Sequence, residues 1–97
     1  MTRAHDPHAR LLKTLAHDAQ SFGLAVTFGD VSETPWSSAT FTGYRLTMTV
    51  RADRDPAAWL AALPEADLSA PGRLVADLAV IRAADAIRLE LLVLLEA

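Results

Sequence analysis

Residues 74–95 read LVADLAVIRAADAIRLELLVLL and predict a β-hairpin. On both sides of Ala84-Asp85 a set of apolar residues recurs at every second position, which is the period of a strand. A tight turn at Ala84-Asp85 joins the two runs, and their register is set by placing both apolar sets on one face. The members of these sets are Leu74, Ala76, Leu78, Val80, Ile87, Leu89, Leu91, Val93 and Leu95.

Successive side chains of a strand point to opposite faces of the sheet. If these residues face the helices, the opposite face therefore carries Val75, Ile81, Leu92 and Leu94. No predicted helix remains to cover that face, so the four side chains predict a surface for a partner. A twofold pair would bury eight such side chains, four from each copy. Their burial contributes about 12–24 kcal/mol, against an association cost of roughly 4–15 kcal/mol. The alternative is a twisted sheet that folds this strip under its own loops.

Two further strands are predicted upstream of the hairpin. A short first strand begins near Leu24 and is followed by a polar connection over residues 30–35. A long second strand covers residues 37–52. Its apolar residues change from odd positions before Gly43-Tyr44 to even positions from there on, which predicts a β-bulge at this dipeptide.

Two helices share a start signal, in which an aspartate caps free amides and a proline takes the first helical position. The first helix begins at Asp6-Pro7 and ends at Gly23, and the second begins at Asp55-Pro56. The first carries an apolar stripe of Leu11, Leu12, Leu15, Ala16, Ala19 and Phe22, and the second, which ends at Pro64, carries Trp59, Leu60 and Leu63.

The element order is therefore αββαββ, and residues 1–97 form a single α+β domain. We expect a four-stranded antiparallel sheet with two helices on one face. A right-handed crossover from the second strand to the third favours the strand order 1-2-4-3, a permuted ferredoxin-like arrangement. An Asp-Pro…Gly pattern recurs after 49 residues, from Asp6 to Asp55 and from Gly23 to Gly72. Shared start and stop signals explain this recurrence, and so does a duplicated unit.

The composition excludes several classes of protein. The chain has no cysteine, which excludes a disulfide framework and thiolate chemistry. The net charge is −3 and the basic residues are scattered, whereas nucleic-acid binding uses a clustered basic surface. The longest apolar run is too short for a membrane span, and the N-terminus lacks a signal peptide. We expect a cytoplasmic protein without cofactors, of bacterial origin because alanine is abundant and arginine is preferred to lysine.

The segment from Trp36 to Arg45 is the candidate ligand site. It combines aromatic rings, hydroxyl groups, a glycine and an arginine beside the predicted bulge, and bulges re-aim side chains near sites. A small anionic or polar ligand would contact Trp36, Ser38, Thr40, Tyr44 and Arg45. The alternative is an ordinary strand, since threonine, tyrosine and tryptophan favour strands and a hydroxyl-rich edge resists aggregation.

Neither a metal site nor a catalytic centre is predicted. His8 and His17 lie more than two helical turns apart, and His5 with His8 would lack a fixed third ligand. We expect all three histidines to be solvated. Asp77 stands alone in its strand, and Arg88 on the neighbouring strand is its expected partner. General acid catalysis needs a cleft and a perturbing neighbour, and the sequence marks neither.

The sequence therefore predicts a non-catalytic protein-interaction or assembly module. We expect a homodimer through the sheet, with an interface at Val75, Ile81, Leu92 and Leu94; a different protein is the alternative partner. The alternative function is a small-molecule-binding protein or minor enzyme that uses the Trp36 to Arg45 strand. A flat apolar patch characterises the first, and a concave pocket characterises the second.

Overall fold

The computed structural model describes residues 8–70 and 72–95 of the chain. Its elements are α1 (Ala9–Gln20), β1 (Val26–Ser37), β2 (Thr42–Ala52), α2 (Ala57–Ala62), a 3-10 turn (Leu63–Glu65), β3 (Arg73–Ala83) and β4 (Ala86–Leu95). The strands form a four-stranded sheet in the hydrogen-bonded order β1-β2-β4-β3, and every neighbouring pair is antiparallel. The predicted α+β class, with a four-stranded antiparallel sheet and two helices, is confirmed.

One hydrophobic core joins the sheet to both helices. The strands contribute alternate residues, because successive side chains of a strand point to opposite faces, and we call the contributing side the core face. α1 contributes Leu11, Leu15 and Ala19, while α2 contributes Trp59 and Leu60. The buried residues of the core face are Tyr44, Leu46, Met48, Val50, Leu78, Leu89, Leu91 and Val93.

α1 ends as its sequence predicts. Gly23 has a φ of 77°, a left-handed conformation that glycine adopts without strain. The Leu24 N–H donates a hydrogen bond of 3.1 Å to the Ala19 carbonyl, so a free carbonyl of the last turn is satisfied. The predicted cap, Asp6, and the proline after it, Pro7, lie outside the described residues.

α2 begins at the predicted position. Asp55 Oδ1 accepts a hydrogen bond of 3.0 Å from the Ala57 N–H, which satisfies one of the free amides of the first turn. The glycine that the repeated pattern assigns to the end of this helix, Gly72, has another role. Its φ is 81°, and it lies in a tight turn where Ala70 and Arg73 exchange backbone hydrogen bonds of 3.0 and 2.9 Å.

β1 runs through residues 30–35, where the sequence predicts a polar connection. That prediction is wrong because β1 is an edge strand. Polar residues and Pro35 are compatible with an edge, where one side of the backbone faces solvent. The register with β2 shifts between Gly29 and Ser32, and Asp30 within this shift has a φ of 52°. The first hairpin therefore carries its bulge in β1.

No bulge occurs at Gly43-Tyr44, because both residues pair in regular register with β1 and β4. The apolar phase changes because residues 38–41 form a turn instead of continuing a strand. Gly43 is required for another reason. A Cβ atom built on it would lie 2.9 Å from the Val93 carbonyl carbon and 3.0 Å from Leu94 Cα, so the β4 backbone occupies the space of a side chain.

The β3–β4 hairpin has the predicted two-residue turn. Its register shifts at Ala76, which stands unpaired between Val75 and Asp77. An unpaired residue reverses the faces of the residues before it. Val75 consequently packs against the core, and Leu74, predicted to face the core, is 45% exposed and lies opposite Leu94.

Candidate interaction face

The side of the sheet opposite the core face is the candidate functional surface, and we call it the open face. Four residues of β2 alternate with buried core-face residues and therefore point to this side. The buried side chains of α1 and α2 all belong to the core cluster. The open face includes Thr34 and Trp36 of β1, Gly43, Arg45, Thr47, Thr49 and Arg51 of β2, Leu74, Asp77, Ala79 and Ile81 of β3, and Arg88, Glu90, Leu92 and Leu94 of β4.

Three of the four predicted interface residues lie on the open face. Ile81 is 39% exposed, Leu92 is half-buried and Leu94 is buried. The placement of Val75 was wrong, because the unpaired residue of the β3 bulge turns its side chain to the core face. Leu74 takes the place of Val75 on the open face. The predicted patch is therefore retained with one exchange of residues.

One row of the open face, which we call the apolar row, carries no charged residue. The strand register aligns Trp36, Gly43, Leu94 and Leu74 across the four strands. Gly43 has no side chain, and the β4 backbone occupies the space that one would take. Leu94 is buried although it does not belong to the core cluster, which indicates that neighbours on the open face shield it.

The next row, which we call the charged row, carries opposite charges on either side of a leucine. Arg45, Leu92 and Asp77 stand directly opposite one another on β2, β4 and β3. Arg45 and Asp77 are exposed, and within residues 8–70 and 72–95 neither forms an ion pair. The expected pairing of Asp77 with Arg88 is wrong, because Arg88 stands opposite Ile81.

The five candidate ligand residues do not converge on one place. Tyr44 is buried on the core face, whereas Trp36 and Arg45 lie on the open face. Ser38 and Thr40 lie in the β1–β2 turn, where Ser38 Oγ accepts two backbone N–H hydrogen bonds of 3.3 and 3.1 Å. The Ser38 hydroxyl therefore stabilises the turn, and the segment is distributed over two faces and a loop.

Cavities formed by described residues lie elsewhere. A cavity of about 520 Å³ follows the exposed side of α1, between Lys13 and Gln20. A smaller one, of about 120 Å³, lies between the β3 bulge at Ala76 and the segment that contains Leu68. None of the five candidate ligand residues lines either cavity.

His8 is buried at the start of α1, contrary to the expectation of a solvated histidine. Its Nε2 atom lies 2.9 Å from Glu33 Oε1 on β1. Its ring packs edge-to-face against Tyr44 of β2, with ring centroids 5.3 Å apart. These contacts hold the first turn of α1 against two strands. A histidine just before an amphipathic helix carries no sequence signal that distinguishes this role from exposure.

Within the described part of the chain, no group of three or more His, Asp or Glu side chains is placed to hold a metal ion. We predict that zinc or nickel shifts the melting temperature by less than about 2 °C, whereas binding at a hundredfold excess over Kd would add roughly 2.7 kcal/mol. Thermal melts with each metal and with a chelator test this prediction. A saturable rise that disappears in His5→Ala would contradict it.

No family model, curated protein or solved structure matches the chain. Neither helix of the described ranges has the length and apolar character needed to cross a membrane.

Proposed function

We propose that the chain is a non-catalytic protein-interaction module that forms a homodimer through the open face of its sheet. The observation that carries this proposal is the presence of Leu74, Ile81 and Leu92, each with exposed surface, on the open face, while the buried side chains of both described helices belong to the core cluster. A patch of exposed aliphatic side chains is stabilised when a second surface covers it. The partner is a second copy, because the charges on either side of Leu92 complement each other when the face meets its own copy.

We also propose that the fold is a permuted ferredoxin-like arrangement with both helices on the core face. The support is the strand order β1-β2-β4-β3 together with a single core cluster that includes side chains of α1 and α2. A right-handed crossover from β2 through α2 to β3 is the connection expected for such a sheet. This arrangement leaves the open face accessible to a partner.

The apolar part of the open face supplies only a modest association energy. Leu94 is already buried, and Leu74 and Ile81 are 45% and 39% exposed. Burial of the remaining apolar surface in a twofold pair contributes about 4–7 kcal/mol, whereas association costs roughly 4–15 kcal/mol. The apolar term exceeds the association cost by about 3 kcal/mol at most, so polar contacts across the interface must supply most of the net association energy, and we expect a weak dimer.

Replacing Leu92 with aspartate is expected to convert the dimer into a folded monomer. The carboxylate would be buried without a partner only in the assembled state, and an uncompensated buried charge is strongly unfavourable. Sedimentation velocity from about 1 to several hundred micromolar measures the association, on a scale where 1 µM corresponds to about −8.2 kcal/mol. Circular dichroism melts establish that the variant is folded.

The matched control is Phe22→Asp, which places the same charge on an exposed apolar residue outside the sheet. We expect this control to dimerise as the wild type does. A wild type that stays monomeric across the whole concentration range would contradict the proposed function. The same conclusion follows if Leu92→Asp unfolds, because Leu92 would then belong to the core of its own chain.

A further inference from the structure

The charged row has a pattern that matches its own copy. Arg45 and Asp77 flank Leu92 on the two neighbouring strands, so their Cα atoms are about two strand spacings, or about 10 Å, apart. Both side chains are exposed, and within the described residues neither forms an ion pair. A row that reads positive, apolar, negative becomes complementary to itself when it is rotated by half a turn about its centre.

We propose that a twofold axis parallel to the strands passes over Leu92, so that Arg45 of each copy pairs with Asp77 of the other. This inference rests on the proposed homodimer through the open face. The two Leu92 side chains meet at the axis, and two reciprocal ion pairs flank them. A twofold axis along the row would instead place each charge on its own copy, which is repulsive. The charges of Arg45 and Asp77 therefore favour the axis parallel to the strands.

The neighbouring rows are compatible with this axis. In the apolar row, the same rotation places the exposed Leu74 of one copy over Gly43 of the other. The β4 backbone occupies the space of the missing Gly43 side chain, so the leucine packs against backbone at this position and meets no opposing side chain. On the other side of the charged row, the axis follows β4 and places Glu90 over its own copy and Arg88 over its own copy. These two opposite charges lie in adjacent rows of the same strand and face.

Charge reversal in two separate chains tests the pairing. We expect R45D and D77R each to weaken homodimerisation by about tenfold or more, because each variant brings like charges together twice. A mixture of the two variants restores opposite charges at both contacts. We therefore expect a heterodimer whose Kd lies within about tenfold of the wild-type value. Sedimentation velocity of each variant and of the equimolar mixture measures these constants.

The matched control is R51D, which reverses an exposed arginine on the same strand and face but outside the charged row. We expect its Kd to stay within about threefold of the wild-type value, since charges distant from the contact act weakly. The pair R45E and D77K replaces the first pair if circular dichroism shows either chain to be unfolded. The same mixing experiment then applies.

The outcomes separate this inference from the function on which it rests. If the wild type is monomeric, both are overturned. If the wild type dimerises and Leu92→Asp abolishes the dimer, but R45D and D77R still dimerise as well as the wild type, the open face associates with another orientation. The axis is then wrong and the proposed function stands. Failure of the two weakened variants to associate when mixed overturns the reciprocal pairing in the same way.

Discussion

Replacing Gly43 with alanine is expected to lower the free energy of unfolding by about 2–3 kcal/mol, near the upper end of the usual range for overpacking. The new Cβ atom would lie 2.9 Å from the Val93 carbonyl carbon and 3.0 Å from Leu94 Cα. Both are backbone atoms of a paired strand, so they cannot rotate away as a side chain does. β2 and β4 must then separate locally. Gly43→Val is expected to lower the free energy of unfolding further. Chemical denaturation measures the change in both variants.

The matched control is Gly29→Ala, on β1. A Cβ atom at Gly29 would meet Thr49 Oγ1 at 3.2 Å, and a side-chain hydroxyl can rotate away from it. We expect a change of less than about 1 kcal/mol, because glycine inside a strand is itself unfavourable relative to alanine by roughly 0.5–1 kcal/mol. Equal losses in the two variants would contradict the close approach of β4 to Gly43.

Local signals in the sequence suffice to predict the β3–β4 hairpin, the end of α1 and the start of α2. A short polar turn at Ala84-Asp85 sets the pairing of β3 with β4, and counting outward from it places Asp77 opposite Leu92. Gly23 ends α1 because a left-handed residue there costs glycine little. Each of these features depends on residues that are close together in the chain.

The two bulges could not be predicted in the same way. Ala76 continues the alternation of Leu74 and Leu78, and nothing about an alanine marks it as unpaired. The polar residues of β1 resemble a connection and predict a loop, although an edge strand tolerates them. A single unpaired residue moves each residue before it in the strand to the other face of the sheet. The sequence misplaces Val75 and Leu74 for this reason.

The charged row shows how much of the candidate site is accessible from sequence. Asp77 opposite Leu92 follows from the β3–β4 turn, whereas Arg45 opposite Leu92 depends on the pairing of β2 with β4. Those two strands are separated in the chain by α2 and β3, so no turn sets their register. Tertiary packing on the core face determines it instead. The burial of His8 against Glu33 and Tyr44 has the same origin.

Replacing Trp59 with alanine is expected to destabilise the domain by about 3–5 kcal/mol, which approaches the total stability of a small domain. Trp59 is fully buried at the centre of the short helix α2. Trp36→Ala is the matched control, because Trp36 is only half-buried on the open face. We expect less than half the loss of stability in this control. Urea denaturation measures it at a protein concentration below the Kd of the dimer. Comparable losses in the two variants would contradict the central position of Trp59.

Trp59 stabilises the domain both by its packing in the core and by a hydrogen bond that joins the two helices, and the second contribution can be measured separately. The Trp59 Nε1–H donates to Asp18 Oδ2 of α1 at 2.9 Å. α2 has 6 residues and is too short to be stable in isolation, so this bond and the core contacts hold it in place.

Asp18→Ala leaves the indole N–H buried without an acceptor, and we expect a loss of about 1–3 kcal/mol in the free energy of unfolding. In Trp59→Phe the donor is absent, so adding Asp18→Ala to it is expected to lower the stability by less than about 0.5 kcal/mol. An equal effect of Asp18→Ala in the wild-type and Trp59→Phe backgrounds would show that Asp18 stabilises the domain independently of this bond.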